Sequence, residues 1–183
     1  MRKLFSQLLH KEMSKDEKKI LITGDLGYGL WDRIRIDYSD RFYNVGSAEQ
    51  LMVGMACGLA MGGMKPICYS ITPFLLYRPF ELIRNYLNHE EIPVKLIGGG
   101  RDDDYGYLGF SHWAKDDKII MGSFKNITTL HPSSEDEMKS NFHWYINHRQ
   151  TVFLLPVTYQ SLTKPLTLVS RILIYLFISV ERM

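Results

Sequence analysis

Short apolar runs of four or five residues recur along the chain, at 20–23, 42–45, 66–70, 94–97, 127–130 and 152–155. Between them lie patterns of helical period at 48–61, 75–90, about 113–121 and 134–148. A further amphipathic stretch, 3–19, precedes the first run and carries Leu4, Phe5, Leu8 and Leu9 on one face. Apolar strands alternating with helices predict parallel pairing through right-handed crossovers. The expected fold is therefore α/β: a doubly wound, mostly parallel sheet of about five or six strands with helices on both faces.

The helix over 48–61 has an informative start. Ser47 stands three residues before Gln50, the spacing of a capping box. Leu51, Met52, Met55, Ala56 and Leu59 then recur at helical spacing, interleaved with Gly54, Gly58 and Ala60. Such a helix is buried nearly all round and ends at Gly62-Gly63. Glu49 sits in its first turn. A carboxylate there is favoured by the helix dipole, but every residue from Leu51 to Ala60 is apolar or Gly. A carboxylate at such an edge is either paired or used.

The chain has 183 residues, 45% of them hydrophobic and 23% charged, which suits one globular domain. Its net charge of +2 is unevenly spread. Residues 1–19 carry +3 and 161–183 carry +2, leaving −3 for the stretch between. No basic stripe for nucleic acid is present, and the two basic ends read as solvated segments. Cys57 and Cys68 form no C-x-x-C pair or disulfide framework, so a reduced, cytoplasmic protein is expected. The N-terminus lacks the apolar core of a secretory signal. The apolar stretch 166–180 is 15 residues long and is interrupted by Arg171. It is short for a membrane span, so it is expected to pack on the domain or on a partner.

Other candidate groups are weaker. His112 follows the Gly-, Asp- and Tyr-rich stretch 101–111, with Ser111 as a candidate helix cap and Asp116 four residues on. It reads as a loop histidine, or as a proton donor or substrate-binding group at a cleft mouth. Two ligands alone make a poor metal site, and Asp102-Asp103-Asp104 reads as a solvated turn. Gly24-Asp25-Leu26-Gly27-Tyr28-Gly29 lies where phosphate loops often sit, but it lacks both the dinucleotide fingerprint and the P-loop lysine. His143 and His148 read as structural. No metal-ligand set is expected.

Taken together, the residues resemble one family. Arg41-Phe42-Tyr43-Asn44-Val45-Gly46-Ser47-Ala48-Glu49-Gln50 resembles the signature of the pyrimidine-binding domain in transketolase-like, thiamine-diphosphate-dependent enzymes. The likeness continues through Gly54–Ala60, Lys65-Pro66, Ser70–Arg84 and the Gly109–Asp117 loop. The stretch 22–29 looks like the start of this domain in split transketolase C-terminal (β) subunits. Phe110 stands where that family usually has Pro, and Trp113 where a second His or Gln is common.

The resemblance implies roles. The glutamate matching Glu49 hydrogen-bonds the aminopyrimidine N1′ of the cofactor, favouring the tautomer whose N4′ takes the thiazolium C2 proton. Phe74 is the match for the aromatic that stacks on the pyrimidine, with Tyr77 and Phe80 as neighbours. His112 matches a histidine that handles substrate or intermediate oxygens, and Arg78 is a candidate substrate contact. The implied cofactor is thiamine diphosphate, with Mg²⁺ held by a separate diphosphate-binding subunit. The expected organisation is an N-terminal helical segment at 1–19, the pyrimidine-binding domain at 20–156, and a divergent hydrophobic tail at 157–183, without the usual C-terminal domain. The chain is expected to be inactive alone and, as one subunit of a homo- or hetero-oligomer, to transfer two-carbon ketol units between sugars or sugar phosphates. Two alternatives stay open: a β subunit of a 2-oxo acid decarboxylating dehydrogenase, and a non-catalytic interaction module.

Overall fold

The computed structural model describes residues 1–156. Within it, alternation along the strands sends side chains to two separate cores. Strands β1 (Lys19–Thr23), β2 (Phe42–Asn44), β3 (Lys65–Ile71), β4 (Lys95–Gly99), β5 (Thr128–Leu130) and β6 (Val152–Leu154) form one sheet in the order β2-β1-β3-β4-β6-β5. Every neighbouring pair is parallel. Ile20, Ile22, Cys68, Leu96 and Phe153 face one core, while Leu21, Ile67, Tyr69, Ile97, Val152 and Leu154 face the other. This is the period of two that a pleated strand imposes. The chain thus adopts the doubly wound α/β arrangement expected from its pattern.

The first core is closed by α3 (Glu49–Met61), α4 (Thr72–Tyr77) and α6 (Asp117–Met121). The second is closed by α1 (Arg2–Met13), α2 (Asp32–Asp37) and α7 (Glu135–Asn147). Here the structure departs from the expectation of a solvated basic N-terminus. Phe5, Leu9 and Met13 recur every fourth residue along α1 and are fully buried. The Phe5 ring packs on Trp31, Phe142 and Tyr145, with centroids 6.3, 5.3 and 5.8 Å away. Only the charged side of α1 is left for water.

Three local expectations also change. The helical pattern at 75–90 is broken, because Pro79 lacks an N–H and its ring crowds the preceding turn. The chain instead forms α4, a single turn α5 (Phe80–Leu82), and a π-helical stretch, Ile83–His89, closed by Glu90 N to Asn85 O at 3.1 Å. The stretch from residue 113 is a loop until α6 begins at Asp117, so Ser111 caps no helix and its Oγ lies 3.0 Å from His112 Nδ1. The Ser47–Gln50 capping box does not form. Gly46 turns the chain at φ +74°, Ala48 N donates to Gly46 O at 2.7 Å, and α3 starts at Glu49 with no side-chain cap. Ser134, by contrast, caps α7 by accepting from Glu137 N at 3.1 Å.

The stretch 166–180 lies outside the described residues. Among those described, no helix is long and apolar enough to cross a membrane.

From β1 the chain steps outward to β2, then returns across β1 to β3 on the other side. Strand order reverses at the β1–β3 pair, and in open parallel sheets the crevice beyond the carboxyl ends of such a pair is where ligands bind.

Candidate active site at the strand-order reversal

Glu49 lies at this crevice. The turn at Gly46 delivers α3 so that its first residue points inward, and Glu49 is 1% exposed. Its Oε1 accepts a hydrogen bond from Ser70 Oγ at 2.7 Å, at the end of β3. Just past the end of β1 there is no room for a side chain: a Cβ on Gly24 would lie 3.0 Å from Glu49 Oε1. Gly24 is thus required for close approach rather than for a special backbone angle. Neither Ser70 nor Gly24 was an expected site residue. The available signal was a polar Ser closing an otherwise apolar strand.

The loops around Glu49 are tied together. Asn44 Oδ1 accepts from the backbone N of Asp25 at 2.9 Å and of Gly46 at 3.1 Å, while Asn44 Nδ2 donates to Asp25 Oδ1 at 3.0 Å. Tyr28 OH donates to the same oxygen at 2.8 Å. These donors, Asn44 first and Tyr28 second, hold the Asp25 carboxyl below its usual range. The network fixes the turn that leads into Glu49.

The second oxygen of Glu49 meets Arg78, whose Nη1 donates to Oε2 at 2.6 Å. The Arg78 guanidinium also sits over an aromatic, with Cζ 3.7 Å from the centroid of the Phe74 ring. Phe74 in turn meets His112 edge-on, with centroids 5.0 Å apart. Four expected site residues, Glu49, Arg78, Phe74 and His112, therefore form one contiguous chain of contacts. An open cavity of about 650 Å³ adjoins it, lined by Ser47, Ala48, Glu49, Gln50, Leu51 and Arg78.

The other two aromatics are placed differently. Tyr77 OH donates to Asp116 Oδ1, and burial followed by that bond pushes the phenol well up. Phe80 packs on Phe124 at 5.6 Å. Neither ring shares the contacts that join Phe74 to Glu49 through Arg78. In the His112 loop, Phe110 is 82% exposed and meets Trp113 at 5.8 Å, and Asp102 pairs with Ala114 in an isolated antiparallel bridge. Among the described residues, no group of three or more His, Cys, Asp or Glu is arranged to hold a metal ion.

The fold and the site together define a class: a doubly wound domain with a buried, donor-held carboxylate beside an aromatic at its strand-order reversal. Residues 1–160 match the family described as transketolase, pyrimidine binding domain, and the chain belongs to that family. It is 36% identical over 118 residues to a subunit of the apulose-4-phosphate transketolase of Actinobacillus succinogenes, covering 64% of this chain and 38% of that protein. It is 28% identical over 155 residues to a putative transketolase C-terminal section of Methanocaldococcus jannaschii, covering 84% of this chain and 49% of that one. In fold it is similar to a split gene transketolase in an inactive beta4 tetramer, with a TM-score of 0.75 and 21% identity over 91% of this chain and 53% of that chain. The chain spans less than half the length of these curated relatives.

Transketolase-family domains of this kind use thiamine diphosphate, and the residues here fit its pyrimidine half. A planar, hydrogen-bond-donating group fits between the Phe74 face and the Glu49 carboxylate, because the Arg78 guanidinium sits there making both contacts.

Proposed function

We propose that this chain supplies the pyrimidine half of a thiamine diphosphate site. A separate diphosphate-binding transketolase subunit completes the site and brings Mg²⁺, and the assembled enzyme transfers a two-carbon ketol unit between sugars or sugar phosphates. The observation that carries this reading is the Glu49–Phe74 pair, set around one planar donor at the strand-order reversal. The names of two relatives, one a transketolase subunit and the other a C-terminal section, support a chain that works as part of a larger enzyme.

In this reading each residue has a task. Glu49 gives the aminopyrimidine N1′ a carboxyl partner, and Ser70, donating to Oε1, fixes that carboxyl's orientation. Phe74 offers a face for stacking. When bound, thiamine diphosphate supplies a carbon nucleophile that protein side chains lack. His112, on the edge of Phe74, hydrogen-bonds substrate oxygens at the mouth. Arg78, 41% exposed, brings a cation to the same mouth for a sugar phosphate. Tyr77 and Phe80 support this wall from Asp116 and Phe124 rather than touching the ring. Without the diphosphate-binding subunit the chain is inactive.

The test mixes wild-type chain or Glu49→Ala with the diphosphate-binding subunit that co-purifies from the source, thiamine diphosphate and Mg²⁺. Ketol transfer is expected with wild type, falling by about a hundredfold or more with Glu49→Ala, the scale of losing a positioned acid–base group. Equal rates for the two chains would overturn the reading.

A further inference from the structure

We propose that Arg78 is an internal placeholder for the pyrimidine ring, and that the ring must displace it to enter. This rests on the reading of Glu49 and Phe74 as a pyrimidine site. A flat heterocycle needs two things there at once: the face of Phe74 and an oxygen of Glu49. Arg78 uses both, with Cζ 3.7 Å from the Phe74 centroid and Nη1 2.6 Å from Oε2. The other carboxylate oxygen is already held by Ser70. Phe74 also meets His112, edge-on.

The adjoining cavity gives independent support. Its lining includes Glu49 and Arg78 but not Phe74. The Glu49 side chain is 0% exposed and that of Arg78 41%, so the open space meets the arginine and not the carboxylate. Arg78 is also built to leave. Its side chain is 41% exposed, and among the described residues Glu49 is its hydrogen-bond and ion partner. Moving it out costs one charge-assisted contact and one stack, and places an already half-exposed, weakly hydrated cation in water. Pro79, immediately after it, breaks the helix, so Arg78 sits at the end of α4 rather than inside a rigid rod.

The arrangement keeps the buried carboxylate paired until a ring arrives, and it sets the affinity by competition. A group that fills its own site nine-tenths of the time weakens the apparent affinity of a competitor about tenfold. The released guanidinium then stands at the mouth, where a phosphate-bearing substrate enters.

The test uses the full chain and two probes. The first is 4-amino-5-hydroxymethyl-2-methylpyrimidine, titrated calorimetrically into wild type and Arg78→Ala. The second is methylguanidinium at millimolar concentration, read as thermal stabilisation of wild type, Arg78→Ala and Arg78→Ala/Glu49→Gln. Arg78→Ala is expected to bind the pyrimidine about tenfold more tightly than wild type. It should also be stabilised by methylguanidinium, while wild type and the double variant are not. Equal or weaker pyrimidine binding by Arg78→Ala would overturn the proposal and make Arg78 a brace for the ring. Absence of methylguanidinium rescue would overturn it as well, by showing no vacated slot. Rescue with no pyrimidine binding by either chain would instead defeat the thiamine diphosphate reading, and the displacement with it. Should Arg78→Ala not fold, Arg78→Gln, which lacks the stacking cation, serves for the pyrimidine titration, and Arg78→Ser for the methylguanidinium one.

Discussion

Ser70 and Glu49 meet across the reversal in strand order, the serine Oγ donating to Glu49 Oε1 at 2.7 Å with both residues buried. The bond joins the end of β3 to the first residue of α3, so the sheet itself sets the direction of the carboxylate. Ser70→Ala removes that donor and leaves a buried oxygen underpaired. It is expected to lower unfolding stability by about 1–3 kcal/mol. The measurement is a urea titration, in which the midpoint falls while the slope is kept. An unchanged midpoint would show that Oε1 finds another donor.

Gly24→Ala attacks the same carboxylate from the other strand. The new Cβ would lie 3.0 Å from Glu49 Oε1, so the carboxylate or the loop has to shift. Overpacking of this kind costs about 1–3 kcal/mol. The thermal midpoint should fall, and aminopyrimidine affinity should fall with it, because the displaced group is the one that meets the ring. A stable variant with unaltered affinity would show that Glu49 relaxes freely.

Phe5→Ala tests whether the N-terminal helix belongs to the core. Phe5 is fully buried among Trp31, Phe142 and Tyr145. Removing a buried ring costs about 3–5 kcal/mol. Urea unfolding of the variant should show that loss in one cooperative transition. A loss below about 1 kcal/mol would mean that α1 is an appendage, since substitutions away from packed sites stay within that scale.

Asp117 gives a pH signature. It is 1% exposed, and among the described residues neither carboxylate oxygen has a hydrogen-bond partner. Burial, ahead of its other neighbours, pushes its carboxyl up. Between the unfolded value of about 3.9 and that raised folded value, the native state keeps a proton that the unfolded chain has lost. Stability from this group therefore falls as pH rises through the window. Asp117→Asn, which has no charge to bury, should gain stability on wild type at neutral pH and lose most of that gain near pH 4. Parallel stability curves for the two proteins would rule this out.

Much of the fold was legible because burial leaves a periodic trace. The six apolar runs became the six strands, and Glu49 stood out because nothing else in its helix was charged. The corrections came from places where one residue outweighs a pattern. Pro79 broke a helix whose apolar spacing ran on past it, and Gly46 redirected the chain so that Ser47 lost its capping position. α1 looked solvated because its charges outnumber its three buried apolar side chains. Within the site, the sequence pointed to Glu49, Phe74, Arg78 and His112 as separate positions. It could not show that Arg78 bridges two of the others, or that Ser70 serves the carboxylate, because those contacts join residues 21 and 29 positions apart.

The sheet closes itself off sideways. Among the described residues it ends in β2 on one side and β5 on the other, each three residues long. A ladder that short gives a foreign strand little to pair with, the same device by which many proteins avoid edge-to-edge aggregation. Extending the sheet from one chain into another is thereby disfavoured. Among the described residues, the helices and the loop rim around Glu49 are the surfaces better suited to assembly.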